Sequence, residues 1–412
     1  MIKWLLIFSF ILEKVVDGVI HYLDSKYMEK SLPENVKDVY NEEEYLNWKS
    51  YEKEGGRLDF ISDLISTGLL FLFLAFNWYA GIFDFLSVYP LYLQYLFFII
   101  IMIAMMLPIE LPFDYYNTFV IEEKYGLNNM TKRTFWLDQL KDFLIALGVS
   151  YGIFVILIFS FERFGNLAIV VAIIAIVVVS LVVAALIVPL MRIYNKFTPL
   201  QDEELLQKLH ALCEKYHVEV KKVVVKDASR RTTKSNAFCA GIGKKKTISL
   251  DDNLVNNYSS DQIVAVFAHE FAHARGKHVW KSLPFGLFRT VLIMVALGIV
   301  LNFPVLFQAF GFQETNYFFA MTLIEMISWP LTMLLAAIGN YISRKHEYEA
   351  DAFAAREGYG EALIGALKQL SKESLSDINP HPLVVKLEYD HPTLSQRIAA
   401  IREEEANANI RI

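Results

Sequence analysis

Long apolar blocks alternate with polar segments along the chain. Two of these blocks, 143–161 and 167–191, contain no charged residue. A helix needs about 20 apolar residues to cross the hydrocarbon core of a bilayer, so both blocks are predicted to span a membrane. Five further blocks are predicted as spans, at 2–21, 62–86, 91–111, 283–306 and 316–342. The pattern therefore predicts a mainly α, polytopic membrane protein with about seven transmembrane helices.

Three of the predicted spans contain charged side chains. The first contains Glu13, Lys14 and Asp17, the sixth contains Arg289, and the seventh contains Glu325. Charges at membrane depth are costly and face a protein interior or a water-filled cavity. Arg289 and Glu325 are therefore expected either to pair with each other or to line such a cavity.

The first apolar block also has features of a signal peptide, because Lys3 precedes the apolar run 4–12. The sequence Glu-Lys-Val-Val-Asp follows this run where a signal peptide has a small-residue cleavage pattern. This favours a helix that is retained in the mature protein.

Charge orients the predicted bundle. The turns after the second and sixth spans contain no Lys or Arg, and the turn after the fourth contains Arg163 alone. The positive-inside rule places the opposite segments and the C-terminus in the cytoplasm, and the N-terminus outside. The segments 22–60 and 112–141 then become cytoplasmic loops with short helices. Of the 412 residues, 55% are hydrophobic and 20% charged, and a net charge of −6 gives no indication of a nucleic-acid partner.

The segment 193–282 has the pattern of a soluble domain. Apolar residues on one face predict a helix over 201–217. Ser259 and Gln262 form a capping-box signal before a second helix, predicted over 263–278. Alternating residues predict three strands, over 218–226, 236–242 and 247–250.

The second of these helices contains a candidate metal motif, His-Glu-Phe-Ala-His at 269–273. Two histidines at i and i+4 lie on one helical face, so His269 and His273 can both bind one Zn²⁺. Glu270 lies beside them and is predicted to be the general base for a water activated by the metal. A catalytic zinc site still needs a third protein ligand and an open position.

The third ligand is predicted just after the last span. Glu347 and Asp351 lie at i and i+4 of a predicted helix, so one carboxylate can bind zinc and the other can orient a ligand histidine. Glu349 points away from this face, and His346 is an alternative ligand. Because two whole spans separate these residues from 269–273, the predicted site joins helices that enter and leave the membrane.

Together these motifs resemble the type I CAAX prenyl proteases, integral-membrane zinc endopeptidases that include the a-factor-converting enzymes. The resemblance covers essentially the whole chain. The segments that match in order and spacing are Leu111–Gly126, Lys234–Phe238, His269–His273, Glu347–Asp351 and Asp390–Arg397.

The resemblance implies seven spans around a water-filled chamber, capped by a gluzincin-like cytoplasmic zinc metalloprotease domain with a small β-sheet. Four parts of the chain are expected on this basis. They are spans one to five with their loops (1–192), the zinc part (193–282), spans six and seven (283–342), and a C-terminal part that completes the zinc site (343–412).

The resemblance also implies one Zn²⁺ per chain and roles for individual residues. The implied ligands are His269, His273 and Glu347, the implied base is Glu270, Asp351 and Arg397 support the site, His391 acts in it, and an edge strand near Asn236 and Ala237 holds the substrate. His381, in Pro-His-Pro, competes with His391 for its role. The spacing to Arg397 favours His391.

The implied activity is removal of the last three residues from a C-terminal C-a-a-X sequence whose Cys is prenylated. The chain is short and its loops are lean, features of bacterial relatives, and bacteria generally lack prenylated proteins. The alternative is a quality-control protease that cuts unmodified or misfolded membrane proteins. A transporter or receptor bundle with a regulatory zinc site is a third hypothesis, although transporters usually show internal repeats.

The expected surroundings follow from the same interpretation. The partners are a peptide or protein substrate and the lipid bilayer. The location is the inner membrane of a bacterium or the endoplasmic reticulum membrane of a eukaryote, with the site facing the cytoplasm.

Overall fold

The computed structural model describes residues 1–217, 220–240 and 246–410, which form sixteen α-helices and a four-stranded sheet. The helices are α1 (Ile2–Tyr27), α2 (Glu42–Ala75), α3 (Trp78–Phe85), α4 (Leu91–Tyr116), α5 (Lys132–Phe164), α6 (Ala168–Ala185), α7 (Ile187–Met191), α8 (Glu203–Lys215), α9 (Asp252–Asn257), α10 (Ser260–Gly276), α11 (His278–Leu301), α12 (Pro304–Gln308), α13 (Tyr317–Ala354), α14 (Gly360–Glu373), α15 (Pro382–Leu387) and α16 (Leu394–Ile410). The strands are β1 (Phe197–Pro199), β2 (Val220–Lys226), β3 (Ala237–Ala240) and β4 (Lys246–Asp251). The protein is mainly α-helical with one small sheet, as predicted.

Five helices in the described part of the chain are long and apolar enough to cross a membrane: α2, α4, α5, α11 and α13. The other two predicted spans correspond to α1 and α6. The described apolar stretch of α6, Ala168–Val183, is shorter than these five. Both helices nevertheless belong to the bundle, because α1 contacts α13 and α6 contacts α5 and α11. The protein is therefore polytopic, with five long membrane-capable helices and two further helices packed against them.

The membrane bundle has its own apolar core. Phe73, Phe98, Leu157, Leu297 and Phe319 are buried there, one each from α2, α4, α5, α11 and α13. The N-terminal helix α1 is tied to this bundle by polar contacts as well. The Ser9 hydroxyl donates to the carbonyl of Met326, and the Trp329 indole donates to Ser9.

A second apolar core lies outside the bundle and draws on distant stretches of the chain. Trp48 on α2, Leu209 on α8, Phe267 on α10 and Ile398 on α16 are completely buried in it. Burying side chains of this kind contributes about 1.5–3 kcal/mol each. Residues from the parts predicted at 1–192, 193–282 and 343–412 therefore pack into one core, and this shared core fixes the helices that carry the site.

The segments predicted as cytoplasmic loops are more helical than expected. Within 22–60, α2 already begins at Glu42, where Asn41 and Glu44 form a capping box. Within 112–141, α4 continues to Tyr116 and α5 begins at Lys132. The apolar pattern marks only the part of a helix that contacts lipid, whereas caps and local propensity decide where the helix ends.

The sheet has the strand order β1-β2-β4-β3, with β2 and β4 parallel and the outer pairs antiparallel. The three predicted strands correspond to β2, β3 and β4, although residues 218–219 and 241–245 lie outside the described residues. β1 was not predicted, since three residues carry no alternation. β3 is an edge strand, so among the described strands it pairs only with β4, and the other side of its backbone faces away from the sheet.

The helix predicted over 263–278 is in fact two helices. The capping box of Ser259 and Gln262 starts α10 as predicted. The helix ends at Gly276, and Lys277 has the left-handed conformation, with φ 55° and ψ 37°. His278 therefore begins α11, which continues directly into the membrane bundle.

The charged residues of the predicted spans do not pair with each other. Arg289 and Glu325 are both exposed, and no ion pair joins them in the described part of the chain. A cavity of about 460 Å³ lies in the bundle, and Glu325, Glu13, Phe154 and Trp329 are among the residues that line it. Glu325 therefore meets the alternative expectation, a position on a cavity wall.

Candidate active site

Two helices bring three candidate ligands together. α10 presents His269 and His273 one turn apart, and Glu347 comes from the part of α13 beyond the predicted span. The two Nε2 atoms are 3.2 Å apart, and the Glu347 carboxylate lies 3.3 Å from Nε2 of His269 and 3.2 Å from Nε2 of His273. Among the described residues, these three form the group whose ligand atoms all lie within 4.8 Å of one another.

This donor set fits a zinc ion. The Nε2 atoms of the two histidines lie next to each other and next to the Glu347 carboxylate. The buried Oε2 of Glu347 accepts no hydrogen bond from the described residues. A buried polar atom without a partner is costly, and a cation between the three groups removes that cost. Two histidines and one glutamate also leave the fourth position of a tetrahedral zinc site open for catalysis.

Glu347 is held in its charged form. Burial alone would raise the pKa of this carboxyl, but its close contacts with His269 and His273 lower the pKa well below its usual range. A deprotonated carboxylate is the form that binds a metal.

Behind the cluster, Asp351 and Arg397 support His269. Nδ1 of His269 lies 2.9 Å from the carboxylate of Asp351, which is completely buried. Arg397 donates two hydrogen bonds to the same carboxylate, at 2.8 Å and 2.6 Å. Burial would raise the pKa of Asp351, yet Arg397 and His269 lower it to about 2. The carboxylate therefore fixes the ring so that Nε2 faces the cluster.

Glu270 lies at the open edge of β3. Its Oε2 accepts a hydrogen bond from the backbone N–H of Cys239, at 3.1 Å. Burial raises the pKa of Glu270, and the neighbouring His269 and His273 oppose this shift. Glu270 is thus the carboxylate between the candidate ligands and the edge strand.

The register of β3 decides which peptide groups face Glu270. The carbonyl of Asn236 accepts from Asp251, so it points toward β4. Peptide groups alternate along a strand, and those of Ala237 and Cys239 therefore point to the open edge. The side-chain oxygen of Asn236 accepts from the Ala237 N–H at 2.8 Å. The predicted substrate-holding residues thus lie on the edge strand that faces the cluster.

His391 lies close to the cluster, and His381 does not share this position. Nε2 of His391 is 3.5 Å from Glu347, while Nδ1 is 2.7 Å from Asp390. Nδ1 of His381 accepts from the backbone N–H of Leu383 and caps α15. Of the two histidines, His391 is the one beside the candidate ligands.

The alternative ligand His346 lies outside the group of three. Its Nδ1 is 3.4 Å from the Ser282 hydroxyl, and its ring stacks on that of His278. Among the contacts that the sequence did not predict are the carboxylate of Asp390 beside His391 and the Cys239 amide at Glu270. The first is adjacent in sequence to His391, whereas the second depends on tertiary packing that no sequence pattern reports.

These features define a class of protein, an integral-membrane metalloprotease whose His-His-Glu cluster fits a zinc ion. Comparisons with known proteins agree. Residues 23–192 match the family model of the CAAX prenyl protease N-terminal region with five membrane helices, and residues 199–405 match that of peptidase family M48.

Individual relatives align over most of the chain. CAAX prenyl protease 1 of Saccharomyces cerevisiae is 28% identical over 405 residues, which cover 91% of this chain and 89% of the relative. A homolog in Arabidopsis thaliana is 34% identical over 298 residues, covering 72% and 70%. The crystal structure of S. mikatae Ste24p has a TM-score of 0.91 at 27% identity, covering 97% of this chain and 99% of that one.

The chain belongs to the type I CAAX prenyl protease family within peptidase family M48. It is a zinc metalloendopeptidase carried by a multi-pass membrane protein. This confirms the predicted enzyme class, cofactor and fold class, and it disfavours a transporter or receptor.

Proposed function

We propose that this protein removes the C-terminal tripeptide from proteins that end in a prenylated C-a-a-X sequence. The observation that carries the proposal is the open edge of β3 beside Glu270, at the point where the helices of the zinc site meet the membrane bundle. The curated relatives are CAAX prenyl proteases by name. A peptide anchored by an apolar prenyl group needs both features, a strand edge for its backbone and an apolar surface for its lipid.

The substrate backbone binds as an added strand. The outward carbonyl of Ala237 accepts a backbone hydrogen bond from the substrate that does not depend on the substrate's side chains. The N–H of Cys239 holds Glu270 beside the edge strand. A peptide bound along this edge therefore places its scissile bond close to Glu270. Asn236 fixes the start of the strand by accepting from the Ala237 amide.

His269, His273 and Glu347 hold the metal, and the remaining residues divide the chemistry between them. When bound, zinc supplies Lewis acidity that polarises the scissile carbonyl and activates water. Glu270 accepts the proton of the attacking water and delivers it to the leaving amine. His391 hydrogen-bonds to the carbonyl oxygen as that oxygen gains negative charge. Asp351 and Arg397 keep His269 in the orientation that the metal requires.

The site faces the cytoplasm in this proposal. The basic residues are concentrated in the segments on the side of the site, which the positive-inside rule assigns to the cytoplasm. The four parts 1–192, 193–282, 283–342 and 343–412 then alternate between membrane and cytoplasm. The membrane is that of the endoplasmic reticulum in a eukaryote, or the inner membrane in a bacterium.

A cleavage assay with matched peptides tests the proposed function. The purified protein is given one C-a-a-X peptide in farnesylated and unmodified forms, and an unfolded membrane protein as a third substrate. We expect release of the tripeptide from the farnesylated peptide, with loss of activity in a chelator and recovery with Zn²⁺. Equal or faster cleavage of the unmodified peptide or unfolded protein would support the quality-control alternative instead.

Replacing His391 by Ala is expected to lower kcat for the farnesylated peptide by about 10²–10³-fold, which is the typical cost of one lost oxyanion donor. Bound zinc and KM should change little, because His391 is not one of the three ligands. His381→Ala is the matched control and should retain most of the activity. Steady-state kinetics check both variants, and a larger loss in the control would exchange the two assignments.

A further inference from the structure

A buried histidine lies directly behind the candidate ligand His273. His278, at the start of α11, is 5% exposed, and its Nδ1 is 2.9 Å from Nδ1 of His273. His278 is not one of the three candidate ligands, because it contacts the side of the His273 ring that faces away from them. Its contact with His273 is as short as the contact of Asp351 with His269.

The atom with which His273 faces the cluster determines where the protons lie in its contact with His278. His273 faces His269 and Glu347 with Nε2, so Nε2 is its metal-binding atom and Nδ1 carries the proton. That Nδ1–H must donate to Nδ1 of His278, which is therefore unprotonated. A neutral His278 then carries its own proton on Nε2.

On its other side, the His278 ring contacts a carboxylate. Nε2 of His278 lies 3.2 Å from Glu349, which also contacts Lys281 at 3.3 Å. The proton on Nε2 therefore points to an acceptor, and every donor from His273 outward has a partner. The ring of His278 is held in place by stacking on His346, with centroids 4.3 Å apart and planes within 10°.

The backbone is built to bring His278 to this position. On a continuous helix, a residue five positions after His273 would point away from its ring. The left-handed residue Lys277 breaks the helix and turns His278 back toward α10. A side chain at Gly276 would occupy the same space, since a Cβ there would lie 2.3 Å from Nε2 of His278.

We propose that His278 and Glu349 form a relay that positions the zinc ligand His273. The inference rests on the proposed function only in taking His273 as a ligand. The two ligand histidines are then supported in parallel ways, each by a carboxylate that has a cationic partner. Asp351 with Arg397 acts directly on His269, whereas Glu349 with Lys281 acts on His273 through the imidazole of His278.

Zinc affinity measured by chelator competition on the full-length protein in detergent tests the relay. Loss of a residue that orients a ligand typically costs 10–100-fold in metal affinity. We expect His278→Phe, which keeps an aromatic ring against His346, to weaken zinc binding by about 10–100-fold. Glu349→Gln, at an exposed position that tolerates substitution, should weaken it by about tenfold.

A double-mutant cycle separates a relay from general damage to the fold. If both residues act through one series of hydrogen bonds, the double variant His278→Phe with Glu349→Gln should bind zinc no more weakly than His278→Phe alone. His346→Phe is the packing control, because it keeps the stacked ring and removes only the nitrogens. It should stay within about threefold of the wild-type zinc affinity.

Three results would overturn the relay: wild-type affinity in both single variants, multiplicative effects in the double variant, or an equal loss in His346→Phe. Because zinc binding is measured directly, a failure of the relay can be distinguished from a failure of the proposed substrate specificity. A protein that shows the expected zinc cycle but does not cleave the farnesylated peptide retains the relay and loses the proposed function.

Discussion

Replacing Glu270 by Gln is expected to reduce hydrolysis of the farnesylated peptide by about 10²–10⁴-fold, the usual contribution of a general acid–base group. The substitution preserves the shape of the side chain and leaves an oxygen that can accept from the Cys239 N–H. It removes only the ability to accept the proton of water. Glu270 is not one of the three candidate ligands, so zinc content should be unchanged.

Initial rates and metal analysis on the same preparation check this expectation. Glu361→Gln is the matched control, since Glu361 is an exposed carboxylate on α14 that pairs with Arg402 and is not one of the site residues, and its rate should equal that of the wild type. A Glu270→Gln protein that keeps zinc and more than a tenth of the activity would contradict the general-base role. Loss of zinc would instead mean that Glu270 supports the metal site.

The zinc motif was readable from the sequence because its information is local. Helical periodicity alone places His269 and His273 on one face, and Ser259 with Gln262 marks where that helix begins. Glu347 and Asp351 were paired by the same periodicity on the next helix. The sequence could not decide which of the two carboxylates faces the metal, because this depends on how α13 packs against α10.

The elements that sequence analysis missed depend on long-range packing or on rare backbone conformations. A lysine in the left-handed region has no sequence signature, so the break at Lys277 and the position of His278 were not predicted. The extent of α2 was likewise missed, because hydropathy locates the lipid-facing part of a helix rather than its cap at Asn41. β1 is stabilised by pairing with β2 and has no pattern of its own.

Dividing the sequence at the predicted membrane spans did not predict the apolar core that holds the site. Trp48 on α2 and Ile398 on α16 lie in different predicted parts, yet both are buried in the core that contains Phe267 of the zinc helix. Contacts between such distant segments have no signal in a single sequence. The membrane helices and the C-terminal part therefore position the zinc helix together.

Replacing Arg397 by Met is expected to destabilise the protein by about 3–5 kcal/mol, the typical cost of removing one partner of a buried ion pair. Asp351 is completely buried, and its two hydrogen bonds from Arg397 are what offset the loss of water around its charge. Without the guanidinium, the carboxylate must remain buried with His269 as its remaining strong partner or take up a proton. Unfolding of the zinc-free protein in detergent measures the change.

The control for this prediction is one and a half turns further along α16. Arg402→Met removes an exposed pair with Glu361 at 3.6 Å and should cost less than about 1 kcal/mol. The double variant Asp351→Leu with Arg397→Met removes both charges, so it should regain most of the stability lost in Arg397→Met while still binding zinc poorly. That combination separates the two roles of the pair: Arg397 stabilises the fold by neutralising Asp351, whereas Asp351 orients the ligand His269. If Arg397→Met were as stable as Arg402→Met, the buried pair would not contribute to the fold.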